Sequence, residues 1–161
     1  MRRIAVFTIT VAVALAGTAA AGCRESAPVG LQAPAAGASE KRTANMKIRI
    51  TINGKEATAT LDDNEAAKDF ASLLPLTLTL KAYADNEKIS DLPKELSTKG
   101  APASYDPSAG DITLYAPWGN LALFHKDGHD SPGLVKLGTI DSGVELLRMQ
   151  GPLKATFDII D

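Results

Sequence analysis

The feature that most constrains this chain is a two-residue apolar alternation that restarts after each turn signal. Ile48, Ile50 and Ile52 alternate with Lys47, Arg49 and Thr51; Asn53-Gly54 follows, and Ala57, Ala59 and Leu61 then alternate with Glu56, Thr58 and Thr60. A period of two describes a strand with one buried face, and Asn-Gly between two such runs is the strongest short hairpin signal. The pattern returns at Leu76, Leu78 and Leu80, at 112–115, at 121–125, at 134–140, and at Leu153, Ala155, Phe157 and Ile159. Seven or eight strands are therefore expected. Pro117-Trp118-Gly119-Asn120 forms a tight turn between two of them.

Helical spacing occurs twice. Ala66, Phe70, Leu73 and Leu74 follow Asp62 and Glu65, which are spaced as a capping box, and Pro75 stops the run. Val144, Leu146, Leu147 and Met149 follow Ser142 and Glu145 and read as a second short helix ended by Gly151-Pro152. Residues 84–110 carry few periodic signals and read as a long loop; 126–133 read as a polar loop. Strands and helices do not alternate as units, so a parallel doubly wound sheet is not expected. A closed antiparallel barrel with two short helices accounts for the pattern and leaves no exposed strand edge.

The N-terminal third reads as an address. Met1-Arg2-Arg3 precedes an uncharged apolar run, Ile4 to Ala16, and then small residues up to Gly22, which is the order of a secretory signal peptide. The sole cysteine, Cys23, follows Ala20-Ala21-Gly22 and resembles the lipid-bearing cysteine of a bacterial lipobox, although Ala20 stands where leucine is usual. Residues 24–45, rich in Ala, Pro, Gly and Ser, cannot bury enough surface to offset chain entropy and read as a tether. The expected organisation is a signal peptide over 1–22, a lipidated Cys23 with a flexible linker over 23–45, and a barrel over 46–161. That places the protein in the cell envelope, facing outside the cytoplasm, with the membrane as partner through its lipid anchor.

Charge narrows the partners further. Without Arg2 and Arg3, 15 of the 17 basic residues face 19 acidic ones, so no electrostatic basis for nucleic-acid binding exists. One cysteine permits neither an internal disulfide nor a CxxC pair. His125, Asp127, His129 and Asp130 cross a strand end and a Gly-containing loop, a poor frame for metal ligands, and are read as a solvated loop; no metal and no cofactor is expected. Asp62, Asp63 and Glu65 are assigned to helix capping. No Gly-x-Ser-x-Gly, G-x-G-x-x-G or Walker motif occurs.

The run Tyr105-Asp106-Pro107, Gly110-Asp111, Tyr115-Ala116-Pro117-Trp118-Gly119-Asn120-Leu121-Ala122, Phe124, Lys126-Asp127, Gly133-Leu134-Val135 and Leu137-Gly138 resembles the bacterial cyclophilin-like domain family, as does the helix ending Leu73-Leu74-Pro75-Leu76. The resemblance spans about 47–161. It implies a cyclophilin-type barrel of eight strands with two helices, standing alone, exported, or fused to a flavodoxin-like domain. It does not bring prolyl isomerase activity with it. True cyclophilins carry a Phe-His-Arg-Val-Ile-Pro run and a Gln-Gly-Gly segment, and neither is present; after the signal peptide only Arg24, Arg42, Arg49 and Arg148 remain. Catalytic residues are therefore unassigned. The expected activity is binding of a peptide or small molecule at one barrel mouth, by Tyr105, Tyr115, Trp118, Phe124 and His125. The alternative is a peptidyl-prolyl isomerase acting on exported proteins.

Overall fold

The computed structural model describes residues 45–160. The expected signal peptide, lipidated Cys23 and linker lie outside the described residues. Eight antiparallel strands close into a barrel in the order β1 (Met46–Ile52), β10 (Leu153–Ile159), β3 (Leu76–Tyr83), β4 (Glu87–Asp91), β7 (Asn120–Phe124), β6 (Asp111–Tyr115), β9 (Leu134–Ser142) and β2 (Lys55–Leu61). The short strands β5 (Ser104–Tyr105) and β8 (Ser131–Pro132) pair outside the barrel. The expected closed, mainly β architecture is the one observed.

The β1–β2 hairpin shows how the sequence sets the register. Asn53 and Gly54 both adopt positive φ, 47° and 82°, which matches the twist of the flanking strands. Ile48 then faces Ala59 and Ile50 faces Ala57, so both apolar sets fall on one face. That face is the barrel interior, where Ile48, Ile50 and Ile52 are fully buried with Leu80, Leu121, Leu137 and Phe157. Helix α1 (Glu65–Ala71) adds Ala66, Ala67, Phe70 and Ala71 to the same core, and Phe70 meets Phe157 edge-on at 5.8 Å between centroids.

Three local expectations are corrected. The first concerns the helix cap, which is Asn64 rather than Asp62: β2 runs to Leu61 and the Asp62 N–H still donates to the Leu137 carbonyl, so the chain turns later. Asn64 Oδ1 accepts from Ala67 N at 2.9 Å, and its Nδ2 donates to the Lys136 carbonyl at 3.0 Å. Asp63 and Glu65 instead pair with Lys68 at 2.8 and 3.7 Å. The second correction concerns the second helix, a single 3-10 turn (Val144–Arg148) without a side-chain cap. Ser142 is still in β9, sharing a hydrogen bond with Thr58 at 2.8 Å, and Gly143 makes the break at φ 88°. The third is that the region 84–110 is not one loop: it contains the barrel strand β4 as well as β5, and the loop over 126–133 contains β8.

Strand β4 escapes a periodicity search because its polarity is inverted. Lys88 lies opposite the core residue Leu123 and is buried, with Nζ donating to the Met149 carbonyl at 3.0 Å, while Ile89 lies on the outer wall. A lysine stem can pack as hydrocarbon provided its ammonium finds carbonyls at the end.

Candidate functional site

The groove lies on the outer wall of the barrel, not at its mouth. Along β7, Leu121 and Leu123 point into the main core, whereas Ala122 and Phe124 form a separate apolar cluster with Leu134, against which Ile89, Tyr105 and Tyr115 pack. Successive strand residues point to opposite faces, so a wall one strand thick carries core on one side and groove on the other. A cavity of about 200 Å³ opens there, floored by Ile89, Ala122, Phe124 and Leu134 and bordered by Tyr83, Glu87, Tyr115, Trp118, Asn120 and Ser131.

Trp118 is held over this floor by its turn. The N–H groups of Trp118 and Gly119 donate to the Tyr115 carbonyl at 3.2 and 2.9 Å, and Ala116 N donates to the Gly133 carbonyl at 2.9 Å. Pro117 lies so close to Gly133 that a Cβ there would fall 2.9 Å from the proline Cδ. Trp118 remains 59% exposed and Tyr83 44% exposed, yet they meet edge to face at 5.7 Å and 90°. Tyr115 meets the other side of the set, 5.3 Å from Trp118 at 84°.

Two polar groups mark the ends. Glu87, half-buried opposite Phe124, has its carboxyl pushed above the usual range by burial. Asn120 is 3% exposed, and its Oδ1 has no hydrogen-bond partner. Four residue steps along β7 take the chain from Asn120 to Phe124, about 13 Å.

Tyr115, Trp118 and Phe124 therefore line one groove, while Tyr105 and His125 do not. Tyr105 borders a second cavity with Lys99, Pro102 and Lys136, and its hydroxyl donates to Asp111 Oδ2 at 2.8 Å. His125 follows Phe124 and turns to the opposite side, where its charged neighbours are Lys126, Lys88 and Arg148. Tyr83, Glu87 and Ile89 join the groove from the β3–β4 hairpin; Glu87, which with Asp85, Asp91 and Glu95 reads from sequence as part of a solvated loop face, is half-buried in a strand. Asp127 accepts from Ala109 N at 2.9 Å, and among the described residues no three His, Cys, Asp or Glu side chains converge as a metal site.

A model of the cyclophilin-like family matches residues 50–158, most of the chain and nearly all of the barrel. The chain belongs to the cyclophilin-like family. A solved structure with the same fold is the solution structure of a hypothetical protein from Archaeoglobus fulgidus, 18% identical, with a TM-score of 0.53 over 74% of this chain and 98% of that one. No curated protein matches the sequence. In this cyclophilin-like barrel neither described arginine lines the groove: Arg49 lies 3.9 Å from Glu56 on the outer face of the β1–β2 hairpin, and Arg148 Nη2 donates to the His125 carbonyl at 3.4 Å.

His125 gives the cyclophilin-like domain a pH dependence. Burial first, then the positive charges of Lys126, Lys88 and Arg148, lower its pKa from 6.5, and its Nδ1 is buried without a partner. The unfolded chain therefore takes up the proton first as pH falls, so the stabilising contribution is complete above pH 6.5 and is lost on acidification through the folded-state value. Urea unfolding at steps from pH 7.5 to 5.0 should show stability falling, and His125→Gln should flatten that slope. Glu87 acts with the opposite sign at lower pH, so the difference between variant and parent isolates the histidine. An unchanged slope in the variant would remove His125 as the source.

Proposed function

We propose that this protein is an exported lipoprotein whose cyclophilin-like barrel binds a peptide or small molecule in the outer groove, outside the cytoplasm and without classical isomerase residues. The N-terminal basic, apolar and small-residue order and the single Cys23 support export and lipidation. Binding is supported chiefly by one observation: two of the large hydrophobic residues most open to solvent, Trp118 and Tyr83, touch each other beside a cavity. Exposed aromatics in a fixed mutual geometry offer large contact area at little entropic cost. The unpartnered Asn120 Oδ1 adds an acceptor awaiting a donor.

Amide-resolved NMR titration with pooled proline-containing tetrapeptides and fragment-sized molecules tests this. Shifts should centre on Tyr83, Glu87, Ile89, Trp118 and Asn120, and Tyr83→Ala should weaken any hit about tenfold, or roughly 1.4 kcal/mol. The same peptides should isomerise no faster than without protein. Shifts centred on the cavity of Tyr105 and Lys136 would overturn the assignment of the site. Acceleration abolished by changing Arg148 would restore the isomerase alternative. Intact mass of the membrane fraction reads the acyl chains on Cys23.

A further inference from the structure

Resting on the reading of the groove as a ligand site, we propose that Tyr83, Trp118 and Tyr115 form a three-walled aromatic cage that, with Glu87, takes an alkylated ammonium ion.

The walls are nearly orthogonal. The Tyr83 and Tyr115 rings stand at 90° and 84° to the indole, with centroids 5.7 and 5.3 Å from it. All three rings border the same cavity, and a cation within about 6 Å of an aromatic face there is attracted by its quadrupole. The groove's charge has the complementary sign. Glu87 is the carboxyl among the lining residues, and no lysine, arginine or histidine lines the groove. Of the basic neighbours, Lys88 and His125 point to the other side of the wall, and Lys81, paired with Ile89, is exposed and stays outside the lining.

Hydrogen-bonding capacity selects the kind of cation. A bare ammonium brings three N–H donors that need acceptors. Here the floor is Ile89, Ala122, Phe124 and Leu134, the Ser131 hydroxyl is already committed to the His129 carbonyl at 2.9 Å, and the Glu87 carboxyl and the unpartnered Asn120 Oδ1 stand at opposite ends of the groove. An ammonium whose hydrogens are replaced by methyl groups brings charge and apolar surface with few donors left unmet. Size agrees: about 200 Å³ is below the roughly 300–1,000 Å³ of pockets for drug-sized ligands, so the space suits a headgroup. That headgroup could belong to a free quaternary amine or to a methylated lysine on a peptide.

Trp118 is the only tryptophan in the chain, so its fluorescence reports on the cage directly. The full chain is titrated with choline chloride, with 3,3-dimethyl-1-butanol (the same shape with carbon in place of the charged nitrogen), and with a peptide bearing trimethyl-lysine, at matched ionic strength. Choline or the peptide is expected to give a saturable change at least tenfold tighter than the neutral alcohol. The tighter of the two cations names the source. Glu87→Gln is expected to weaken cation binding about tenfold with an unchanged far-ultraviolet spectrum and unchanged binding of the alcohol. Equal binding of alcohol and choline would overturn the cation subsite while leaving the groove a ligand site. No response to either cation would also overturn it, and the groove itself falls only if the NMR titration is silent there too.

Discussion

Asp111→Ala is expected to cost the barrel about 2–3 kcal/mol, the upper range for losing hydrogen bonds to a charged group. The carboxylate is almost wholly buried, with 3% of its side chain exposed, and it collects four donors from three segments. Tyr105 Oη donates at 2.8 Å from β5, Ser108 N at 2.9 Å from the following loop, Lys136 Nζ at 2.9 Å and Thr139 Oγ1 at 3.4 Å from β9. Alanine leaves the half-buried tyrosine hydroxyl without an acceptor, at a desolvation cost, while the exposed Ser108 amide can turn to water. Asp111→Asn retains acceptor capacity but loses the charge, so it should cost roughly half as much. Urea unfolding of the two variants measures both. A loss below about 1 kcal/mol for alanine would show that the outer ribbon β5–β8 is held by something else.

Gly138→Ala is expected to cost about 3 kcal/mol, at the upper end for overpacking, because nothing it would strike is a flexible side-chain tip. Gly138 lies opposite Leu61 on β2 and Ile112 on β6. An added Cβ would press on the Thr60 carbonyl oxygen and fall 2.9 Å from Leu61 Cα and 3.1 Å from the Thr60 carbonyl carbon. The only relief is to move β2 away from β9, at a seam that also carries a bulge at Thr58/Ala59. Gly100→Ala, at φ 77° with nothing within 4 Å of the added Cβ, provides the comparison; it should cost only about 1 kcal/mol through its backbone conformation. Faster hydrogen exchange confined to β2 and β9 amides in Gly138→Ala would locate the damage. Equal melting temperatures for the two variants would refute the argument from close approach.

The legible parts of the fold are those where local chemistry and final environment agree. Ile48, Ile50 and Ile52 with Asn53-Gly54 specify a hairpin without help from distant residues. β4 was hidden because Lys88 occupies an inward position, made tolerable by carbonyls about sixty residues away on the far side of the 3-10 turn. The cap was misplaced because Asp62, Asp63 and Asn64 all have capping side chains; the Leu137 carbonyl, far along the chain, decides where β2 lets go.

The groove was legible by residue type and not by position. Tyr115, Trp118 and Phe124 were named because they are aromatic near a Pro-Trp-Gly turn. Tyr83 and Glu87 reach them only through the pairing of β4 with β7, which no sequence window contains. His125 lies just past the end of β7, where the chain bends, and it does not line the groove that Phe124 floors. Ala122 and Phe124 alternate with core residues and so face outward, which puts their cluster on the barrel wall and not at its mouth.

That single-strand wall lets two kinds of information occupy one segment without interfering. In β7 the positions of Leu121 and Leu123 answer to folding, while Ala122 and Phe124, a residue away, answer to whatever settles outside. Every second residue of β4 and β7 can therefore be exchanged on the outer side while the interior stays untouched.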